Sequence, residues 1–432
     1  MVYRLFNKRY IMLKRFYTSS LFQSAFIYTL TRAINSAIPF FLMPVLTRYL
    51  TPTDYGIVAM FGVLLSFVAP FTGLSIHGAI ARQYYDRDEV DMPRYVSNCL
   101  LILLSSTLIV GVLFYLLAEP ISRISSFPMQ WMWAVIIVSA AQFINQINLT
   151  LWQVQVKPIP YGIYQIAQTI VNLGFTLWFV VGLGMDWQGR IQAQVIAFGA
   201  FAVFGLYLLY HNGWIRLKVD KGYIKNALNF GVPLIPHALS GTIKTMVDRV
   251  MITSMISVAA TGLYSVGFQI GMIIGILEDS FNRAYVPWLY ERLKRDQYDE
   301  KIMIVKLTYA YFVGIICLAL ALGAIAPWFL SFFVGPQFDG SGQFVLWIAV
   351  GFAFNGMYKM VVSYIFYARK TYILAWITFS TALVGIVINY FAINYLGAIG
   401  AAYTYALIGF ITFLLVWYLS SRVYPMPWNL RR

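Results

Sequence analysis

Apolar runs long enough to cross a bilayer recur along the whole chain, and that recurrence limits the fold more than any motif does. About 20 helical residues span the ~30 Å of hydrocarbon. Runs of this size lie near 21–47, 56–81, 96–117, 131–153, 161–183, 190–210, 227–252, 259–285, 305–330, 343–366, 371–393 and 397–419. Backbone amides inside lipid must bond within their own segment, so each run is expected as a helix. The fold class is therefore an all-α polytopic membrane protein of about twelve transmembrane helices. Composition agrees: 60% of the 432 residues are hydrophobic and 11% are charged, against about a quarter charged in soluble domains.

The cations give an orientation. Of 31 Lys and Arg, 23 fall at the N-terminus, in 82–94, at Lys157, in 216–225, in 292–306, at 369–370 and at the C-terminus. The alternate loops hold Arg48, Arg123 and Arg190, and five more lie within spans. The positive-inside rule then puts both termini in the cytoplasm, and the net charge of +15 reflects topology and not a nucleic-acid partner. The start, MVYRLFNKRYIMLKRFYTSS, has no small-residue cleavage site after a short apolar core, so it reads as a retained cytoplasmic tail.

Several chemistries are left without residues. Cys99 and Cys317 sit in apolar runs, and His77, His211 and His237 are scattered, so no disulfide framework, metal site or cofactor is expected. No GxxxxGK[ST] stretch exists to hold a nucleotide. The loops opposite the basic side are short, the longest near 327–342 and 118–130, which leaves no room for a catalytic domain there.

The chain also repeats itself. Gly56 opens the second span and Gly262 the eighth, 206 residues apart; Leu183-Gly184 with Gly189 precedes the sixth span as Leu396-Gly397 with Gly400 precedes the twelfth. Two parallel six-helix bundles follow, 1–215 and 227–432, joined by a cytoplasmic basic linker at 216–226.

Charge within spans costs ~2.5–3.5 kcal/mol per residue at the centre, so such residues persist where they face a bundle interior or a watery cavity. Arg32, Lys244, Arg249, Arg283 and Lys359 oppose Asp248, Glu278 and Asp279, a cationic excess suited to a diphosphate or an acidic sugar. Arg32 shares a helical stripe with Tyr28, Asn35, Ser36 and Pro39; Lys244 and Asp248 are four apart and can pair. Gln142-Asn145-Gln146-Gln153 and Gln165-Gln168-Asn172-Thr176 form uncharged stripes that suit sugar hydroxyls. Plainer readings stand beside these. Arg32 can serve as a structural ion pair, Lys244 and Asp248 can neutralise each other, and Glu278, Asp279, Arg283 and Lys359 can snorkel or pair with loop charges. The amides can be interhelical glue.

The stretch INSAIPFFLMPVLTRYLTPTDYGIVAMF, with Pro44, Leu46, Thr47, Arg48, Leu50 and Gly56, and the ending LGAIGAAYTYA at 396–406 resemble the polysaccharide-biosynthesis or O-antigen flippase family. That family shares a superfamily with multidrug antiporters and the lipid II flippase. The resemblance covers the whole chain. It implies two six-helix bundles in a V around a cavity, in the bacterial inner membrane, and movement of an undecaprenyl-diphosphate-linked oligosaccharide to the outer leaflet. The family supplies no invariant motif to transfer, so the candidate site comes from the span charges and amide stripes: Arg32, Lys244, Arg249, Lys359, Arg283, Asn35, Gln142, Gln146, Gln165 and Gln168 for the head group, with Asp248 the candidate for coupling to H+ or Na+. Implied partners are the lipid-linked oligosaccharide, the bilayer, a polysaccharide polymerase and chain-length proteins, with no cofactor. The alternatives are an ion-coupled multidrug antiporter and a membrane-embedded transferase. Glu278 and Asp279 are the adjacent acids a transferase would use, but helix neighbours point about 100° apart.

Overall fold

A computed structural model describes residues 20–370 and 372–429; within that range the side chains of 20–26, 32, 33, 36, 240, 241, 244, 245, 372, 373 and 375 lie outside the description. The tail expected in the cytoplasm lies outside it too. The described chain is helical, in the order α1 (Ser20–Tyr49), α2 (Pro52–Gly73), α3 (Ile76–Gln83), α4 (Met92–Leu116), α5 (Ala118–Ser125), α6 (Met132–Val154), α7 (Pro158–Thr176) and α8 (Asp186–His211). There follow α9 (Lys221–Gly231), α10 (Ile235–Met255), α11 (Val258–Arg295), α12 (Tyr298–Phe333), α13 (Gly342–Tyr367), α14 (Tyr372–Leu396) and α15 (Ile399–Val423). Among the described residues, ten helices are long and apolar enough to cross a membrane. The protein is a multi-pass membrane protein.

By contact the described chain forms two compact units, one of residues 20–49 with 60–243, the other of 50–59 with 244–429. Helices α2 and α10 each contribute to both. In the first unit α1 packs on α7, α8 on α6 and α7, and the short α3 on α9 and α6. Its core includes Ile76, Ile80, Tyr95, Val96, Cys99 and Ile147, all nearly inaccessible. In the second unit α13 is central, packed on α11, α12 and α15.

Two expected spans are broken. The second ends at Gly73, where Leu74 and Ser75 turn left-handed (φ 47° and 54°) before α3 starts. The seventh splits into α9, a 3-10 turn at Val232–Leu234 and α10. Pro233 lacks the amide an interior helical residue would donate, so it starts a new element. The breaks fit each other: a Cβ on Gly231 would stand 2.0 Å from the Leu74 carbonyl oxygen, and one on Gly78 would stand 2.9 Å from the Phe230 ring. Where the sequence predicts a linker, 216–226 is strapped to the start of α4. Asp220 caps α9 by accepting from the Gly222 and Tyr223 amides and pairs with Arg94 at 2.8 Å. Arg216 pairs with Asp91 at 2.8 Å, and the Tyr95 hydroxyl donates to Asn226.

The repeat has a structural counterpart. A Cβ on Gly56 would stand 2.0 Å from the Val258 carbonyl oxygen, and one on Gly262 would stand 2.0 Å from that of Pro52. Residues 52 and 258 are separated by the same 206 positions as the glycines, so the contact is reciprocal. The Tyr55 hydroxyl donates to Gln269 Oε1 at 3.0 Å beside it. Gly184 and Gly397, the second matched pair, both have positive φ (64° and 75°) where a helix stops, the backbone that glycine adopts without a Cβ clash.

Candidate functional site

Two charge sets occupy the second unit. The first centres on Asp248 of α10. Its Oδ2 accepts from the Tyr264 hydroxyl of α11 at 2.9 Å and its Oδ1 from Asn389 Nδ2 of α14 at 3.0 Å. The neighbouring Arg249 is 9% exposed, its guanidinium 4.4 Å from the Phe268 ring centre and 5.9 Å from that of Tyr264. Hydrogen bonds to a charged group contribute about 1.5–3 kcal/mol each, so this carboxylate ties three helices together. Lys244, the partner expected for Asp248, lies outside the described side chains.

The second set joins α11 and α13. Lys359 Nζ lies 3.0 Å from Glu278 Oε2 and 3.1 Å from Asp279 Oδ1. Arg283 holds Asp279 Oδ2 through Nε and Nη2 at 3.0 and 2.8 Å, and Asn355 Nδ2 donates to Glu278 Oε1 at 2.8 Å. Gly356 lets the helices approach: a Cβ there would stand 2.9 Å from Glu278 Cβ and 2.7 Å from the Tyr311 hydroxyl. The acids diverge around their helix, as the sequence predicts, yet one lysine reaches both. Exposure is graded across the set: the Glu278 side chain is 2% accessible, Lys359 25%, Asp279 44% and Arg283 67%. At 1.5 Å per residue, Glu278 stands about 30 Å along α11 and Lys359 about 25 Å along α13. That is one hydrocarbon thickness from where each helix starts, at the end that leads into the basic loops.

In the first unit the amides serve mainly as packing groups. Asn35 Oδ1 on α1 accepts from Thr169 Oγ1 on α7 at 2.6 Å, and Asn145 meets the Tyr164 hydroxyl at 2.7 Å and the Phe198 carbonyl. Gln165 Oε1 and Gln168 Nε2 on α7, and Asn35 Nδ2 and the Tyr28 hydroxyl on α1, are buried without a hydrogen-bond partner among the described residues. Gln142 and Gln146 are half-buried on α6, Gln146 with a long 3.4 Å contact to Thr150. Arg190, which the sequence assigns to a loop, instead turns inward from the first turn of α8 and donates to Asn172 and Thr176 at 3.0 and 2.7 Å. Arg32 lies on α1 with its side chain outside the description.

Sequence reasoning passes over Tyr264, Asn389 and Asn355, which complete the two charge sets from 16 to 141 positions away. Such separations leave no local pattern to find. Of the charges that the sequence places within spans, the described ones cancel: Arg249, Arg283 and Lys359 oppose Asp248, Glu278 and Asp279. The cationic excess therefore rests on Arg32 and Lys244.

Residues 21–292 match the model of a family described as polysaccharide biosynthesis protein. The chain belongs to this family. It is 26% identical over 359 residues to an uncharacterized membrane protein of Haemophilus influenzae, covering 82% of this chain and 85% of the relative. It is 22% identical over 351 residues to the capsular polysaccharide biosynthesis protein CapF of Staphylococcus aureus, covering 76% and 81%. Among solved structures it superposes on the lipid II flippase MurJ in an inward closed conformation with a TM-score of 0.69 at 13% identity, covering 92% of this chain and 87% of that one. An inward-facing multidrug transporter of the MATE family, in the MOP superfamily, gives 0.66 at 16% identity, covering 90% and 94%. The fold of this polysaccharide biosynthesis protein is that of the MOP superfamily.

Proposed function

We propose that the protein moves an undecaprenyl-diphosphate-linked oligosaccharide, a surface polysaccharide repeat unit, from the cytoplasmic to the outer leaflet. Two six-helix halves, 1–215 and 227–432, alternate in access, both termini are cytoplasmic, and the membrane is the bacterial inner membrane. The observation that carries this reading is the pairing of a polysaccharide-biosynthesis family match with a fold also found in a lipid flippase. Arg32 and Lys244 meet the diphosphate, and the α1–α7 amides meet sugar hydroxyls. The protein acts as a transporter and not as a transferase: Glu278 and Asp279 are adjacent on α11 and point about 100° apart, which does not make a two-carboxylate catalytic site. The multidrug-antiporter alternative draws on the MATE likeness. It would favour an excess of acid within the spans, and the described charges balance.

The test is genetic. Cells lacking the protein should lose the surface glycan and accumulate lipid-linked repeat units facing the cytoplasm, and the intact chain should restore export. Normal glycan export without the protein would contradict the reading.

A further inference from the structure

We propose that the Glu278–Lys359 pair is an exchange site, in which a lipid diphosphate takes Lys359 and Glu278 takes a proton. This rests on the transport reading above and adds the group that senses the cargo. The pair sits about one hydrocarbon thickness along its helices, the level at which a lipid's diphosphate lies. Arg283 and Asp279 form the accessible side of the set, Lys359 stands behind them and Glu278 is buried. A diphosphate arriving there meets the Arg283 guanidinium first, and Lys359 is the next cation inward.

Removing Lys359 affects the two acids differently. Asp279 keeps two contacts from Arg283. Glu278 keeps, among the described residues, the neutral Asn355 amide on Oε1, while Oε2 is the oxygen that the Lys359 ammonium approaches to 3.0 Å. The other groups within electrostatic reach of Glu278 are Tyr311 of α12 and Tyr405 of α15, both neutral phenols, and Asp279 on its own helix. A carboxylate 2% accessible and stripped of its cation takes up a proton in preference to staying charged. The balance is simple. The ammonium of Lys359 moves from a carboxylate to a phosphate oxygen with its protons kept, and one proton from water forms the O–H bond on Glu278 Oε2. Asp248, the acid favoured by sequence for coupling, has Tyr264 and Asn389 as fixed donors, and the described cation within its electrostatic reach, Arg249, is buried against the Phe268 ring.

The experiment is calorimetric titration of the purified full-length protein in detergent with undecaprenyl diphosphate, repeated in two buffers of different ionisation enthalpy. Binding should be accompanied by uptake of about one proton per diphosphate. Glu278→Gln should bind the probe with no uptake, and Lys359→Arg should keep both. In the unsubstituted protein, the infrared band of a neutral carboxyl should appear on adding the probe, a readout that depends on no variant. Binding without proton uptake, or uptake undiminished in Glu278→Gln, would overturn the exchange and leave the transport reading intact. No binding of the lipid at all would remove the head-group reading and the exchange with it. Uptake driven by inorganic pyrophosphate but not by the lipid would contradict the placement of the site at the leaflet.

Discussion

Asp248 accepts hydrogen bonds from two other helices, so neutralising it should register first as lost stability. Asp248→Asn should cost about 1.5–3 kcal/mol, seen as a lower thermal midpoint in detergent, with the gradient dependence of transport retained. Loss of that dependence at normal stability would return the coupling role to Asp248. Arg32 is a different kind of test. Because the described span charges cancel, reversing one of the two cations that carry the excess should matter to an anionic cargo. Arg32→Glu should stop glycan export at normal protein levels, and Arg32→Lys should keep part of it, since the charge remains without the planar fork. Normal export by Arg32→Glu would make the residue structural.

At the scale of elements, the reciprocal contact at Gly56 and Gly262 leaves no room for a methyl group, since what each would meet is backbone. Gly56→Ala or Gly262→Ala should each destabilise by about 1–3 kcal/mol through overpacking. Gly62→Ala, on the same helix with nothing within 4 Å of the added atom, should not. Equal melting points for all three would contradict the contact. These glycines were legible as a repeat because sequence offset alone reveals them. The helix break at Leu74 and Ser75 was not, because apolar content continues through it to Ile80 and the cause is packing against Gly231, far along the chain. The other break falls at Pro233, inside the run 227–252 that reads as a single span. Arg190 looked like a loop cation because charge next to Gly184 and Gly189 is ordinary turn composition; its partners on α7 emerge with the fold. The Glu278–Lys359 pair was invisible as a pair for the same reason, with each member read as a single charge near a helix end.

For the whole molecule, the uneven distribution of Lys and Arg predicts which loops face which compartment. In a background with Cys99 and Cys317 replaced, a cysteine at Asp339 should react with an impermeant thiol reagent in intact cells, and one at Lys221 should not. Both positions are exposed, so access and not burial decides the outcome. The reverse labelling would invert the proposed topology. The central claim is translocation, and it is tested by reconstituting the protein in vesicles with the host's lipid-linked repeat unit. The fraction of glycan reached by a membrane-impermeant glycosidase would then be followed with and without an imposed ion gradient. The account predicts glycan initially protected inside becoming accessible at a rate that depends on the protein. Protection identical to that of protein-free vesicles, under every gradient, would contradict it.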